Sequence, residues 1–124
     1  MIIIGDEEIC EFEPFLKVEN LKVDLREKNI LIEFDLMKSA KNIDIKNFSI
    51  FANDKIEAVL ANAAGAKFIF ANRKNLKELV DLAQNYIFDS KIAFICKNRD
   101  DLNFAIENLA DAAVFEKGIL DGKI

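Results

Sequence analysis

"FSIFANDKIEAVLANAAGAKFIFANRKN", residues 48–75, holds two runs rich in Phe and Ile on either side of a segment with helical spacing. The runs 48–52 and 67–71 are nearly continuous in apolar character. Strands buried on both faces of a parallel sheet read this way, whereas strands with one wet face alternate. Between the runs, Ile56, Val59, Leu60 and Ala63 recur at intervals of three and four, which predicts an amphipathic helix whose apolar stripe packs on the sheet. Asp54 followed three residues later by Glu57 has the form of a capping box, and Gly65 stands where a left-handed residue would stop the helix. The unit is β-α-β, and its crossover is expected to be right-handed.

The same rhythm extends outward. "ILIEF" (30–34), "KIAFIC" (91–96) and "AAVFE" (112–116) are further apolar runs. Helical spacing fills the gaps, through Leu76, Leu79, Val80, Ala83, Tyr86 and Ile87, and then Leu102, Ala105, Ile106 and Leu109. The order is β-α-β-α-β-α-β across 48–116, preceded by a β-α unit with a short helix over 36–43. Eight β-α units need about 200 residues or more, so 124 residues argue against a complete barrel. The expected fold is therefore a single α/β domain, 1–124: an open three-layer sandwich with a mainly parallel sheet of about five strands and an N-terminal β-hairpin. The hairpin is read from "MIII" and "ICEF" around Gly5-Asp6, which suits a type II′ turn. Residues 15–29 fit either a strand or a short helix, with the helix preferred.

Composition narrows the function classes. Hydrophobic residues make up 52% of the chain, with 11 Phe but only 4 Gly and 1 Pro, so a folded core is expected. A net charge of −5 argues against a general nucleic-acid binder, which must neutralise phosphates. No apolar run reaches the ~18 to 20 residues of a membrane span, and the acidic residues after "MIII" do not suit a signal peptide. Cys10 and Cys96 lack motif spacing, which fits a reducing compartment; the expectation is a cytoplasmic protein without a cofactor.

The strand ends repeat a chemical pattern: "FANDK", "FANRK" and "ICKNRD" each place Asn and charge after a strand. Open α/β sheets bind ligands beyond the carboxyl ends of their strands. Asn53, Asn72, Arg73, Lys97, Asn98 and Arg99 are therefore the candidate ligand-binding residues, with Arg73 and Arg99 facing a small anion and the asparagines adding hydrogen bonds. The competing explanation is helix capping by Asp54, Asn75 and Asn98. No strand-to-helix junction after 52, 71 or 96 carries the glycines of a nucleotide loop.

Catalytic candidates are few. There is no His, which removes the usual neutral-pH base and histidine metal sites. Asp35 ends a strand but lacks the second acid of a phosphotransfer motif, and reads as a helix cap. Cys96 precedes Lys97 and Arg99, cations that would favour a thiolate, yet it has neither a CxxC partner nor a base. "EAVLANAAGAKFIFA" resembles, in outline, the helix-then-strand passages of phosphate-binding barrel enzymes. It has none of their catalytic lysines or glycine-rich phosphate loops, so the likeness implies shared β-α physics and no transfer of function. The expected function is a small binding or interaction module that self-associates as a homo-oligomer. The alternative is an enzyme or sensor for a small anionic metabolite at the carboxyl edge of the sheet.

Overall fold

A computed structural model describes residues 1–9, 11–21, 25 and 28–121. Among the described residues there are eight strands: β1 (Ile2–Ile4), β2 (Phe15–Lys17), β3 (Ile30–Glu33), β4 (Phe48–Phe51), β5 (Phe68–Ala71), β6 (Lys91–Cys96), β7 (Ala112–Phe115) and β8 (Ile119–Asp121). All pair in parallel, in the order β1-β7-β6-β5-β4-β3-β2-β8. Four helices form the crossovers from β3 to β7: α1 (Met37–Asn42), α2 (Lys55–Ala64), α3 (Leu76–Tyr86) and α4 (Arg99–Glu107). None of the described helices is long and apolar enough to cross a membrane.

The α/β class and the parallel sheet agree with the sequence reading. The open five-stranded sandwich and the N-terminal hairpin do not. The sheet curls into an incompletely closed barrel, because β7 and β8 lie far apart in the hydrogen-bonded order yet only the 3-10 turn Glu116–Gly118 separates them. That turn steps over the end of β1. A Cβ on Gly5 would come within 2.8 Å of the Phe115 carbonyl oxygen and 2.9 Å of the Gly118 nitrogen, and Gly5 has a φ of +103°. Gly5 is thus the crossing point of two chain segments rather than a hairpin turn, and β1 pairs with β7 through Ile2↔Ala112 and Ile4↔Val114. The barrel is not complete, as the chain length requires, but 124 residues still supply eight strands because not every crossover holds a helix: the described residues of the β1–β2 connection form only a short turn, and β7 runs almost directly into β8.

Residues 15–29 begin with β2 rather than a helix; 22–24 and 26–27 lie outside the described residues, as do Cys10 and 122–124.

Both faces of the sheet are buried. The concave face is filled by Ile4, Phe15, Leu31, Phe68, Phe70, Ala93, Ala112 and Val114, with Phe51, Ile95 and Ile119 packed alongside. Every strand contributes, and the neighbouring residues on β3 to β7 are buried in the outer core with the helices, as Ile30, Ile32, Ile50, Ile69, Ile92 and Ala113 are. Phe15 lies edge-on to Phe68 at 5.4 Å and to Phe70 at 5.1 Å.

The helices pack less simply than their patterns predict. In α3, Leu76, Leu79, Val80 and Ala83 are buried as expected. In α2 the buried residues are Ala58 and Ala61, while Ile56, Val59 and Leu60 are exposed by 65%, 42% and 47%. Small residues allow α2 to lie close to the sheet, and its large apolar stripe faces out. Ile106 and Leu109 near the end of α4 are also exposed.

Two substitutions test closure in urea titrations. Phe70→Ala should cost ~3 to 5 kcal/mol, because it empties the interior of the curl. Gly5→Ala should cost clearly more than Gly65→Ala: both glycines have positive φ, but only Gly5 meets backbone atoms, whereas Gly65 has open space around it.

Candidate functional site

The carboxyl ends of β4, β5 and β6 carry the asparagine-rich junctions, on the rim where barrel folds place their chemistry. At the first junction, Asp54 caps α2 by accepting the Glu57 N–H at 2.8 Å, and the Glu57 carboxylate accepts the Asn53 N–H at 3.0 Å. The Asn53 side-chain amide donates to the same carboxylate oxygen at 3.3 Å. This is the expected capping exchange, with Glu57 reaching one residue further back.

At the second junction the roles differ from the sequence reading. Asn75 makes no side-chain cap with Glu78. Its Oδ1 accepts the Asn72 N–H at 2.8 Å, and its Nδ2 donates to the Ala52 carbonyl at 3.1 Å, tying β5 to β4 from a buried position. Asn72 Oδ1 in turn accepts the N–H groups of Lys74 and Asn75, both at 2.9 Å.

At the third junction Asn98 caps α4 by accepting the Asp101 N–H at 2.9 Å, and Asp101 accepts the Lys97 N–H at 2.8 Å. Across the strand ends, the partner of Arg73 is Asp101, at 2.5 Å. The Arg73 guanidinium also lies 4.2 Å over the Phe104 ring and 5.9 Å from that of Phe94. Asp101 and Phe104 stand three residues apart on α4, so the cation is held by charge on one turn and an aromatic face on the next. The Lys97 N–H, then the Arg73 guanidinium, hold the Asp101 carboxyl below its ordinary value of 3.8. Their stabilisation is present above that value and fades as pH falls through the lowered folded-state one.

Among the six candidates, Asn72 and Arg73 lie beyond β5, Lys97, Asn98 and Arg99 beyond the adjacent β6, and Asn53 beyond β4. All six are exposed. Only Lys97 reaches the open cleft beside them, about 660 Å³ between the ends of β1, β6 and β7. Lys117 brings a second cation to this cleft, against Asp6, Glu7, Glu8 and Glu116. The carboxylates outnumber the cations and would repel an anion.

Asp35 lies exposed in the 3-10 turn Phe34–Leu36 and does not cap α1, whose N-cap position is Leu36. Cys96 is fully buried, and burial, helped by the charge of Asp101, pushes its thiol up to about 11 despite Arg73. Among the described residues, no three His, Cys, Asp or Glu side chains converge as a metal site would require.

The residues that pattern reading missed are the partners of Arg73, Asp101 and Phe104, which lie 28 and 31 positions away in the chain. Nothing local to "ANRK" points to them. The outward stripe of α2 did leave a signal: Ala58 and Ala61 form an alternative face at the same helical spacing.

No family model and no curated protein matches the sequence. Among solved structures, the fold is similar to that of deoxyribose phosphate aldolase from Aeropyrum pernix, a protein described as having a unique tetrameric structure. The TM-score is 0.50 at 12% identity, over 83% of this chain and 60% of that one. The chain thus spans about 60% of that aldolase, and at this identity the likeness concerns the fold alone.

Iodoacetamide applied to the folded protein at neutral pH should leave Cys96 unmodified by mass spectrometry, since a thiol titrating near 11 and fully buried offers neither thiolate nor access.

Proposed function

We propose that the chain is an interaction module that self-associates through the outer face of α2 and α3. The observation that carries this reading is the inverted packing of α2, which leaves Ile56, Val59 and Leu60 in water. Tyr86 and Ile87, at the end of α3, extend the patch with exposures of 74% and 86%. A groove of about 580 Å³ runs between the helices, and among the described residues Lys55 is the one charged side chain lining it.

Ile87 adds a second kind of support. It ends α3 in the left-handed region, at a φ of 52°, where a β-branched residue is strained and Gly or Asn would not be. Strain and exposure coincide at one side chain. Both are costs to a lone subunit, and burial against another copy would offset them.

A second copy is the occupant favoured by area. Five large side chains exposed by 42 to 86% amount to several hundred Å², the order of the ~800 Å² that each partner contributes to a standard interface. A two-fold arrangement lets one patch serve both subunits.

The alternative, an enzyme or sensor for a small anionic metabolite, draws support from the rim position of Asn53, Asn72, Lys97, Asn98 and Arg99. The commitment of Arg73 to Asp101 and the four carboxylates around the cleft weigh against it.

Light scattering on the eluting protein at tens of micromolar should give the mass of a dimer or larger assembly. Leu60→Glu with Ile87→Glu should give a monomer that melts no lower than the dissociated parent. A pure monomer in the parent chain would overturn the reading.

A further inference from the structure

The amino-terminal mouth of the half-barrel holds an open pocket of about 510 Å³. Its position follows from Asn29 and Lys67 in its wall, which immediately precede β3 and β5. It lies at the opposite end from the asparagine junctions. Ile4, Phe12, Phe15 and Phe68 give it an apolar lining, and Glu11, Glu13 and Lys67 bring charge to it.

Asn29 is the exception in this lining. It is 5% exposed, and its backbone carbonyl is fixed by the Leu16 N–H at 2.8 Å. The side-chain Nδ2 donates to the Pro14 carbonyl at 3.2 Å, while Oδ1 is buried with no hydrogen-bond partner among the described residues. Exchanging the two amide atoms would set Oδ1 against the Pro14 oxygen, acceptor against acceptor, so the neighbour fixes the orientation. A buried acceptor without a donor is a standing cost, and a donor supplied from the cavity would remove it.

We propose that this cavity binds a small apolar molecule carrying one hydrogen-bond-donating head, an alcohol or an amine. The head donates to Asn29 Oδ1, and the body packs among Ile4, Phe12, Phe15 and Phe68. A carboxylate head fits poorly, because at neutral pH it has no proton to donate to Asn29 Oδ1 and would set acceptor against acceptor. Oδ1 is shielded from solvent, so binding requires the side chains of the cavity wall to give way. The volume falls within the range of ordinary small-ligand sites. The proposal is independent of the α2–α3 face.

The experiment uses the full chain and four probes: cyclohexanol, cyclohexylamine, methylcyclohexane and cyclohexanecarboxylate. Binding is read from NMR shifts of the Asn29 side-chain amide and the Ile4 methyl groups. The alcohol and the amine should bind about tenfold tighter than the hydrocarbon, as one buried hydrogen bond provides, and the carboxylate should bind least. Asn29→Leu should abolish the preference while still admitting the hydrocarbon. Phe12→Trp, which enlarges a partly buried wall residue, should weaken all the probes that bind. Equal affinity for alcohol and hydrocarbon in the parent chain, absence of shifts at both Asn29 and Ile4, or a preference that survives Asn29→Leu would each overturn the proposal. If Asn29→Leu does not fold, the ratio in the parent chain decides.

Discussion

The edge-to-face contact of Phe15 with Phe68 and Phe70 is the constraint on which the rest of the fold depends. Phe15 is on β2 and its two partners are on β5, with β3 and β4 between them in the sheet. Side chains on strands that far apart cannot touch across a flat sheet, where neighbouring strands are ~4.8 Å apart. The sheet must curl to bring them together. Large rings from β2 and β5 then require small residues elsewhere on the concave face, and Ala93 and Ala112 supply them on β6 and β7. The interior becomes an aromatic plug of the kind of side-chain packing that fills a parallel barrel.

A filled interior moves any chemistry to the surface. The carboxyl rim is held by Asn72, Asn75, Asn98, Asp54, Glu57 and Asp101, each of which satisfies backbone groups at a strand-to-helix junction. Arg73 then locks α4 to the end of β5 through Asp101 and Phe104. These bonds account for the asparagines of the rim and for Arg73 without a ligand. What they leave unexplained is apolar: the outer stripe of α2 with the end of α3, and the amino-terminal cavity around Asn29.

Much of this architecture could be read from the sequence, for identifiable reasons. The strands of 48–51, 68–71, 91–96 and 112–115 are buried on both faces, and their Ile and Phe runs say so directly. Asp54 and Gly65 mark the ends of α2 because cap chemistry is local. The shorter strands were legible only in part: "MIII" marks β1 but not its pairing with β7, residues 15–17 fit either a strand or a helix, and β8 has three residues, too few to establish a period. Their pairing depends on Gly5 and Gly118 allowing two chain segments to cross. The face of α2 was read inversely, since periodicity locates a large apolar stripe but does not say whether alanines take the sheet side. Of the candidate site, the rim location was visible, but the ownership of Arg73 by Asp101 depends on a contact between distant parts of the chain.

The curl itself is open to direct observation. Ring-selective NMR cross-peaks on the folded protein should connect Phe15 to both Phe68 and Phe70, and backbone cross-peaks should place Ile2–Ile4 beside Ala112–Val114 in parallel register. Cross-peaks joining residues 2–4 to 9–12 in an antiparallel pattern, with none between Phe15 and the β5 rings, would contradict the account.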